Sequence, residues 1–347
     1  MSGAGPTVRL TPNLFGIPFG LTGLAQCWSL AAAEDAAPAW PADALSALAA
    51  LVWAGLLVAY VRNAVAAGRL RSDLVDPTFG PFTSLAVIVP MLLGTALARH
   101  AHDAGEVVFL AALVATLLLG SWLVGRWIVT DLALAQWHPG YFLPTVAGGL
   151  IGAAGCAAFG HDALAGLMFG YGAVCWLVLG SIILLRLFTQ PALPATLVPT
   201  IAIEVAPPVV AGTAWFAVNG GRADAVALGL AGYAVLMVLV QLSLVPVYRR
   251  VPFGPGWWSF SFSYTAVVTV AIHWLAVEDA PGQELLTQAL LAVITAWLAV
   301  LTGRTAASLA RGTFLPRPAP TPAVPAPHAP APERVPAAGH DLPGGRG

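Results

Sequence analysis

The sequence predicts an all-α integral membrane protein with ten transmembrane helices, and three observations lead to that prediction. Hydrophobic residues make up 58% of the 347 residues and charged residues only 9%, with a mean hydropathy of +0.81. A soluble globular protein would have about a quarter of its residues charged, so that class is excluded. Ten long apolar runs follow one another, and proline and glycine concentrate in every second run.

Each of the ten runs has roughly 18 residues or more, enough for a helix to cross the hydrocarbon core of a bilayer. The first run, followed by Ala-Ala-Ala-Glu-Asp, could also be a secretory signal, but its length, Pro18 and Gln26 favour a retained span. An even number of spans places both ends of the chain on one side of the membrane. The runs cover residues 13–33, 43–61, 78–98, 107–126, 140–160, 163–185, 194–218, 225–248, 256–277 and 284–303.

The arginines predict which side that is. Only Arg99 and Arg222 flank the opposite side of the spans, whereas eleven arginines flank the side of the two ends. Since positive charge is retained in the cytoplasm, both termini are predicted to be cytoplasmic. The eleven are Arg9, Arg62, Arg69, Arg71, Arg126, Arg186, Arg249, Arg250, Arg304, Arg311 and Arg317.

The odd-numbered runs contain the helix breakers, and the even-numbered runs are smoother stretches of Leu, Val and Ala. Aromatic openings recur at Phe15, Phe79 and Phe142, 64 and 63 residues apart, which indicates a helical hairpin of about 60 residues used five times. Broken helices need neighbours or water to pair their backbone, so the odd helices are predicted to line a central pore and the even helices to face lipid. Alternatively, Pro and Gly mark helix packing only. The predicted kinks are at Pro18, Pro90, Pro144, Pro199 and Pro207.

The ninth run, residues 256–277, has no charged residue apart from its flanks but contains several hydroxyl groups. At 100° per residue, Phe262, Thr265, Thr269 and His273 lie within about 60° of one another on one helical face. Such a face suits a water-filled or protein-filled space rather than lipid. The hypothesis is that the Phe262 ring lies across a narrow anion pathway.

Glu204 is the only carboxylate that lies well inside one of the ten apolar runs of the sequence, and Pro207 and Pro208 follow about one turn later. A carboxylate inside a membrane is a candidate proton or coupling group, because its charge is costly there. The alternative is a hydrogen-bonded brace for a broken helix. His273 has the same two interpretations, a coupling group or a packed hydrogen-bond donor.

Motifs for other functions are absent from the sequence. The cysteines lie inside apolar runs, and the loop histidines His100 and His102 with Asp103 and Glu106 have no specific metal-ligand spacing, so no metal or cofactor is expected. No phosphate-binding loop, zinc protease motif or nucleophile elbow occurs, so an enzyme is not expected. A net charge of -1 without a basic patch argues against a nucleic-acid partner.

The predicted domain organisation has three parts. Residues 1–12 form a short cytoplasmic N-terminus, 13–310 the ten-helix membrane domain, and 311–347 a Pro/Ala-rich cytoplasmic tail that is predicted to be disordered. A membrane sensor that signals through this tail is a further hypothesis. Deleting residues 316–347 should change anion flux only if it is correct.

Four motifs together resemble the tellurite-resistance/dicarboxylate transporter family, which includes TehA-like bacterial permeases and plant slow-type anion channels. They are NLFGIPFGLTGLA, WHPGYFLPTVAG, AIEVAPPVVAG and WWSFSF, and the resemblance extends over roughly residues 12–310. It implies five hairpins around a pore, a homotrimer with one pore in each protomer, and a plugging phenylalanine in the ninth helix. The matching position is Phe262.

These observations and the resemblance together predict an anion channel or permease in the inner membrane of a bacterium, passing small inorganic or organic anions. Phe262 would be the gate, and the wall would include Phe15, Phe19, Phe142, Thr265 and Thr269. The alternative is a proton-coupled secondary transporter for sulfite, tellurite-type oxyanions or C4-dicarboxylates such as malate. Glu204 would then carry the proton.

Overall fold

A computed structural model describes residues 9–315, and the ten predicted spans are all helical within that range. The predicted fold class, an α-helical membrane protein with ten spans, is confirmed. Residues 1–8 and 316–347 lie outside the described part, and so does the predicted disordered tail beyond residue 315. In order, spans 1 to 10 are Pro12–Ala33, Trp40–Ala66, Gly80–Ala98, His102–Val129, Pro139–Ala158, Asp162–Thr189, Val198–Asn219, Ala225–Ser243, Pro255–Val277 and Gln283–Ala310.

The even spans 2, 4, 6 and 10 are longer than the apolar runs that predicted them. Each of these four helices has 27 or 28 residues. Backbone hydrogen bonding continues a helix past the hydrocarbon region until a breaker stops it, so an apolar run underestimates its length. Span 8 is shorter than predicted because Pro246 interrupts it, and the helix Val245–Tyr248 follows separately. Two further short helices, Leu70–Val75 and Leu134–Gln136, lie in the connections.

Every odd span opens with a 3-10 helix that has proline in its first two positions, and then becomes α-helical. Proline fits there because its missing N–H is unpaired at a helix start anyway. Span 5 also contains the π-helix Leu143–Ala147 before its α-helix Gly148–Ala158. The 3-10 segments are Pro12–Phe15, Gly80–Ser84, Pro139–Phe142, Val198–Val205 and Pro255–Trp258.

The odd spans form a closed ring. Span 1 contacts spans 3 and 9, span 5 contacts spans 3 and 7, and span 7 contacts span 9. Each even span packs against the odd span before it. Between 56% and 78% of the most apolar part of each odd span is buried, against 11% to 33% for the even spans. The even spans therefore provide most of the apolar surface that faces lipid.

Glycines let span 1 approach span 9 closely. A Cβ atom at Gly20 would overlap Cβ and Oγ of Ser261, and one at Gly23 would overlap Oγ1 of Thr265. The same Cβ at Gly23 would lie 3.0 Å from Cδ2 of Phe262. These two glycines thus determine how near the ninth span comes to the first.

A buried ion cluster ties the start of span 1 to the connection before span 3. Asp73 is 1% exposed, and its Oδ1 accepts a hydrogen bond from Arg9 Nη2 at 2.9 Å. Its Oδ2 accepts one from the Tyr60 hydroxyl at 3.3 Å and lies 3.6 Å from Arg69 Nη1. Asp76 Oδ2 lies 3.8 Å from the same Arg9 Nη2, so Asp73 and Asp76 together compensate Arg9, while Asp73 also pairs with Arg69.

We expect Asp73→Ala to destabilise the protein by about 1–3 kcal/mol, because the buried Tyr60 hydroxyl and the partly exposed Arg9 and Arg69 lose the acceptor that they share. The thermal unfolding midpoint in detergent should fall clearly below that of the wild type. Asp131→Ala, at an exposed position, is the matched control and should change little. Equal midpoints for the two variants would contradict the role given to Asp73.

His138 precedes span 5 and is fully buried. Its Nδ1 accepts a hydrogen bond from the Gly140 N–H at 3.1 Å, so Nε2 carries the proton and points to the Pro77 carbonyl at 3.3 Å. Burial lowers the pKa of His138 to about 4. A neutral imidazole therefore connects the start of span 5 to the start of span 3.

Candidate functional site

Two cavities inside the ring of odd spans meet at the side chain of Phe262. The first, which we call the Asn13 cavity, has a volume of about 50 Å³ and lies at the end where the odd spans begin. The second, the central cavity, has a volume of about 160 Å³. Phe262 and Val210 line both of them. The ring of Phe262 thus lies between the two cavities.

The position of this ring is determined by a second aromatic ring on span 1. Phe19 and Phe262 are stacked, with ring centroids 3.7 Å apart and planes 14° from parallel. Both side chains are 6% exposed. Phe262 belongs to the α-helix Ser259–Val277, one turn after its 3-10 opening, and Gly23 leaves space beside its edge. Two stacked rings therefore close the space between the cavities.

The Asn13 cavity is surrounded by the 3-10 openings of all five odd spans. Asn13, Phe82, Phe142, Ile203 and Pro255 each come from a different opening segment and line it. Most of its other lining residues are aliphatic or aromatic. The lining contains no charged side chain, so an ion there would find few polar partners.

Beyond the central cavity lies a third, larger cavity of about 350 Å³, which we call the Arg99 vestibule. It shares Gln26, Thr95, Thr213 and Thr269 with the central cavity. Its rim includes Ala33 and Arg99, which are exposed. The central cavity thus adjoins the vestibule at these four residues and the Asn13 cavity at Phe262 and Val210.

Four of the predicted wall and coupling residues line these cavities. Phe19 and Phe142 line the Asn13 cavity, Thr269 lines the central cavity and the Arg99 vestibule, and His273 lines the vestibule. Three of the four residues on the face predicted for span 9, Phe262, Thr269 and His273, therefore line cavities.

The structure places Phe15 and Thr265 elsewhere. Phe15 is 2% exposed and packs edge-on against Tyr60 of span 2, with centroids 5.9 Å apart. Thr265 is fully buried, donates to the Phe262 carbonyl at 2.9 Å and faces Gly23 across the contact with span 1. Neither lines one of the three cavities, because both are used in packing between helices.

Glu204 is the penultimate residue of the 3-10 segment of span 7 and is 5% exposed. Its Oε1 has no hydrogen-bond partner among residues 9–315. It lines none of the three cavities. Nearby, Gln241 of span 8 donates to the Ile201 carbonyl at 3.1 Å and accepts from the Tyr248 hydroxyl at 2.7 Å. Polar groups at the broken start of span 7 are thus partly paired by span 8.

The predicted kink prolines have different local roles. Pro199 is the second residue of the 3-10 segment of span 7, and Pro207 is the second residue of the α-helix that follows it. Pro144 lies in the π-helix of span 5, whereas Pro90 is inside the α-helix Leu85–Ala98 and Pro18 is in the first turns of Gly16–Ala33. Irregular backbone therefore accompanies the prolines of spans 5 and 7.

Several lining residues were not identified from the sequence. Val210 lines both cavities beside Phe262, and its only signal was a position one turn after the proline pair of span 7. Phe82 follows the Gly-Pro pair at the start of span 3. Gln26 was an isolated amide in an apolar run, and Arg99 was one of two arginines on the arginine-poor side.

The loop histidines form ion-pair contacts rather than a metal centre. His100 Nε2 lies 2.9 Å from Asp43 Oδ1, and His161 Nε2 lies 2.7 Å from Glu106 Oε1. His102 Nδ1 is 3.5 Å from Asp103. Within residues 9–315, no group of three or more His, Cys, Asp or Glu side chains is arranged to hold a metal ion.

Comparison with known proteins gives concordant matches. The tellurite resistance protein TehA homolog of Haemophilus influenzae is 28% identical over 264 residues, which are 76% of this chain and 80% of that protein. The guard cell S-type anion channel SLAC1 of Arabidopsis thaliana is 26% identical over 138 residues, which are 40% of this chain and 24% of the plant protein. The predicted resemblance to TehA-like permeases and slow-type channels is thereby confirmed.

A sequence model of the voltage-dependent anion channel family matches residues 9–306. This range contains nine of the ten spans completely and most of the tenth. The chain is therefore a multi-pass membrane protein that belongs to the voltage-dependent anion channel family.

Proposed function

We propose that this protein is a passive anion channel or permease whose pathway runs along the axis of the five odd spans and is closed by Phe262. The observation that carries the proposal is the position of the Phe262 ring between the Asn13 cavity and the central cavity. Its stacking on Phe19 leaves two aromatic rings as the barrier.

The proposed mechanism is closure by dewetting. An anion that reaches the stacked rings meets apolar surface on both sides and would have to shed water without receiving new partners. Displacing the Phe262 ring joins the two cavities and provides a wetted route. Selection would depend on how easily an anion sheds water, because no fixed charge lines the two cavities that adjoin the ring.

The proposed substrates are small inorganic or organic anions. One relative is named for tellurite resistance and the other as a guard cell S-type anion channel, and both names support an anionic substrate. Liposome flux assays with chloride, nitrate, sulfite and malate test this directly. Uptake of at least one anion above that of protein-free liposomes is expected, and its absence for all four would reject the proposal.

We place both termini in the cytoplasm of a bacterial inner membrane, on the basis of the arginine distribution. The Asn13 cavity then faces the cytoplasm and the Arg99 vestibule faces outward. We also propose a homotrimer with one pathway in each protomer, as the resemblance implies. Cysteine accessibility at Arg222 and at Arg249, on opposite sides in this topology, tests the orientation.

The second candidate is a proton-coupled transporter, and the unpartnered Oε1 of buried Glu204 is the observation that favours it. If Glu204 carries a proton, an imposed pH gradient should drive anion flux in liposomes, and Glu204→Gln should abolish that dependence. The passive mechanism predicts that the gradient adds no driving force and that Glu204→Gln retains the flux. Glu204 lies outside the three cavities, which favours the passive mechanism.

A further inference from the structure

We propose that the Arg99 vestibule is a binding site for a small monovalent anion, formed by Arg99, Gln26 and His273. This inference rests on the proposed anion pathway and identifies Arg99 as the charged group among the described residues that line the vestibule. All three side chains line the vestibule, and Arg99 lies at its exposed rim. The site would hold an anion between the surrounding water and the central cavity.

Five of the six hydroxyl groups that line the vestibule are already used within their own helices, and the sixth, that of Ser29, accepts a hydrogen bond from Arg99. Each of five lining residues donates its hydroxyl hydrogen to a backbone carbonyl three or four positions earlier, so none of these hydrogens points to a ligand. The five bonds are Thr22 to Phe19, Ser46 to Ala42, Thr95 to Leu92, Thr213 to Val209 and Thr269 to Thr265.

Gln26 and His273 differ from these hydroxyls. Among residues 9–315, neither side chain has a hydrogen bond to another group, although both line the vestibule and both are only partly exposed. Gln26 also lines the central cavity. Their N–H donors are therefore free for a ligand that enters the vestibule, one from span 1 and one from span 9.

Arg99 provides the charge. Its Nη1 donates to Ser29 Oγ at 2.5 Å, its Nη2 to Asp43 Oδ1 at 2.7 Å and its Nε to the Ala96 carbonyl at 3.5 Å. A guanidinium group has five N–H bonds, so two remain available. The three bonds hold the group at the rim without using all its donors.

Asp43 keeps the affinity of the site for anions low. It neutralises Arg99 through the 2.7 Å contact, and the same oxygen also contacts His100 Nε2 at 2.9 Å. An uncompensated arginine would hold an anion too tightly for rapid passage, whereas a compensated one with neutral donors binds weakly enough to release it. A monovalent anion fits this small net field better than a dianion does.

Substitutions of the two partners in the Arg99–Asp43 ion pair should change the chloride affinity in opposite directions. Arg99→Gln removes the charged donors and should weaken chloride binding about tenfold. Asp43→Asn leaves Arg99 uncompensated and should strengthen it by a similar factor. Gln26→Leu removes one neutral donor and should weaken binding about fivefold.

Binding is measured on the purified full-length protein, independently of conduction. The thermal unfolding midpoint is followed as chloride replaces gluconate at constant ionic strength, and the half-effective chloride concentration is determined for each variant. Arg222→Gln is the matched control, because Arg222 is on the same side of the spans but bonds to Asn219 and lines no vestibule. It should retain the wild-type value.

The outcomes separate this inference from the proposed function. A chloride effect that is weakened in Arg99→Gln and strengthened in Asp43→Asn supports the site, even if no variant conducts. No chloride effect in the wild type, or equal values in both variants, overturns the site, even if Phe262→Ala conducts anions. Should Arg99→Gln fail to fold, the value for Asp43→Asn alone decides, and a value unchanged from wild type counts against the site.

Discussion

Phe262→Ala should increase anion conductance by at least about tenfold over the wild type, because it removes the side chain that separates the two cavities. A dehydration barrier lowered by 1.4 kcal/mol already gives tenfold, and the cost of placing an ion against an apolar ring exceeds that. The measurement is current through reconstituted protein in planar bilayers with symmetrical chloride. Phe262→Leu keeps part of the apolar bulk and should give an intermediate conductance.

The matched control is Phe260→Ala, two residues earlier on the same helix. Phe260 is also buried, but it packs perpendicular to Tyr248 with centroids 4.9 Å apart and lines none of the three cavities. It should conduct as the wild type does. If Phe262→Ala folds normally yet conducts no more than the wild type or Phe260→Ala, Phe262 is not the gate.

The second large effect should come from Gly20→Val, in which span 1 can no longer approach span 9. Its Cβ would overlap Ser261, and forcing extra atoms into a tight contact costs about 1–3 kcal/mol, occasionally more. We expect a clearly lower thermal unfolding midpoint in detergent. Because the Phe19–Phe262 stack depends on the same contact, chloride leak through the closed protein should also rise.

Gly229→Val in span 8 tests whether the effect is specific to the contact. A Cβ at Gly229 has no heavy atom within 4 Å, so the same substitution there should leave the midpoint nearly unchanged. Ser261→Gly in the Gly20→Val background removes the colliding atoms and should restore part of the lost stability. A midpoint for Gly20→Val equal to that for Gly229→Val would show that the approach of the two spans is not limiting.

Composition and run length were sufficient to predict the fold class and the ten spans, since a bilayer allows few alternatives to membrane-crossing helices. The concentration of Pro and Gly in alternate runs correctly distinguished the buried odd spans from the exposed even ones. The 100° periodicity of span 9 predicts that Phe262, Thr269 and His273 share one helical face, and all three line cavities. It failed for Thr265, because that side chain is drawn into the close contact at Gly23.

The features that could not be predicted from the sequence depend on how separate helices pack against one another. The stacking of Phe19 on Phe262 depends on how spans 1 and 9 are rotated relative to each other. The residue pattern within either span does not predict that rotation. Phe15 was predicted to line the wall, but it lies in the 3-10 helix that opens span 1 and packs against Tyr60. The pair of Arg99 with Asp43 joins residues 56 positions apart, and no local pattern indicates it.

The 3-10 segment Val198–Val205 has eight residues and is longer than an α-helix of eight residues would be. At a rise of about 2.0 Å per residue it extends about 16 Å, against about 12 Å in α geometry. Rewinding it would shorten span 7 by about 4 Å and turn everything beyond it about the helix axis. Val210 lies about a turn and a half further on and lines the same two cavities as Phe262, so a change of winding in this segment would move Val210 relative to the Phe262 ring.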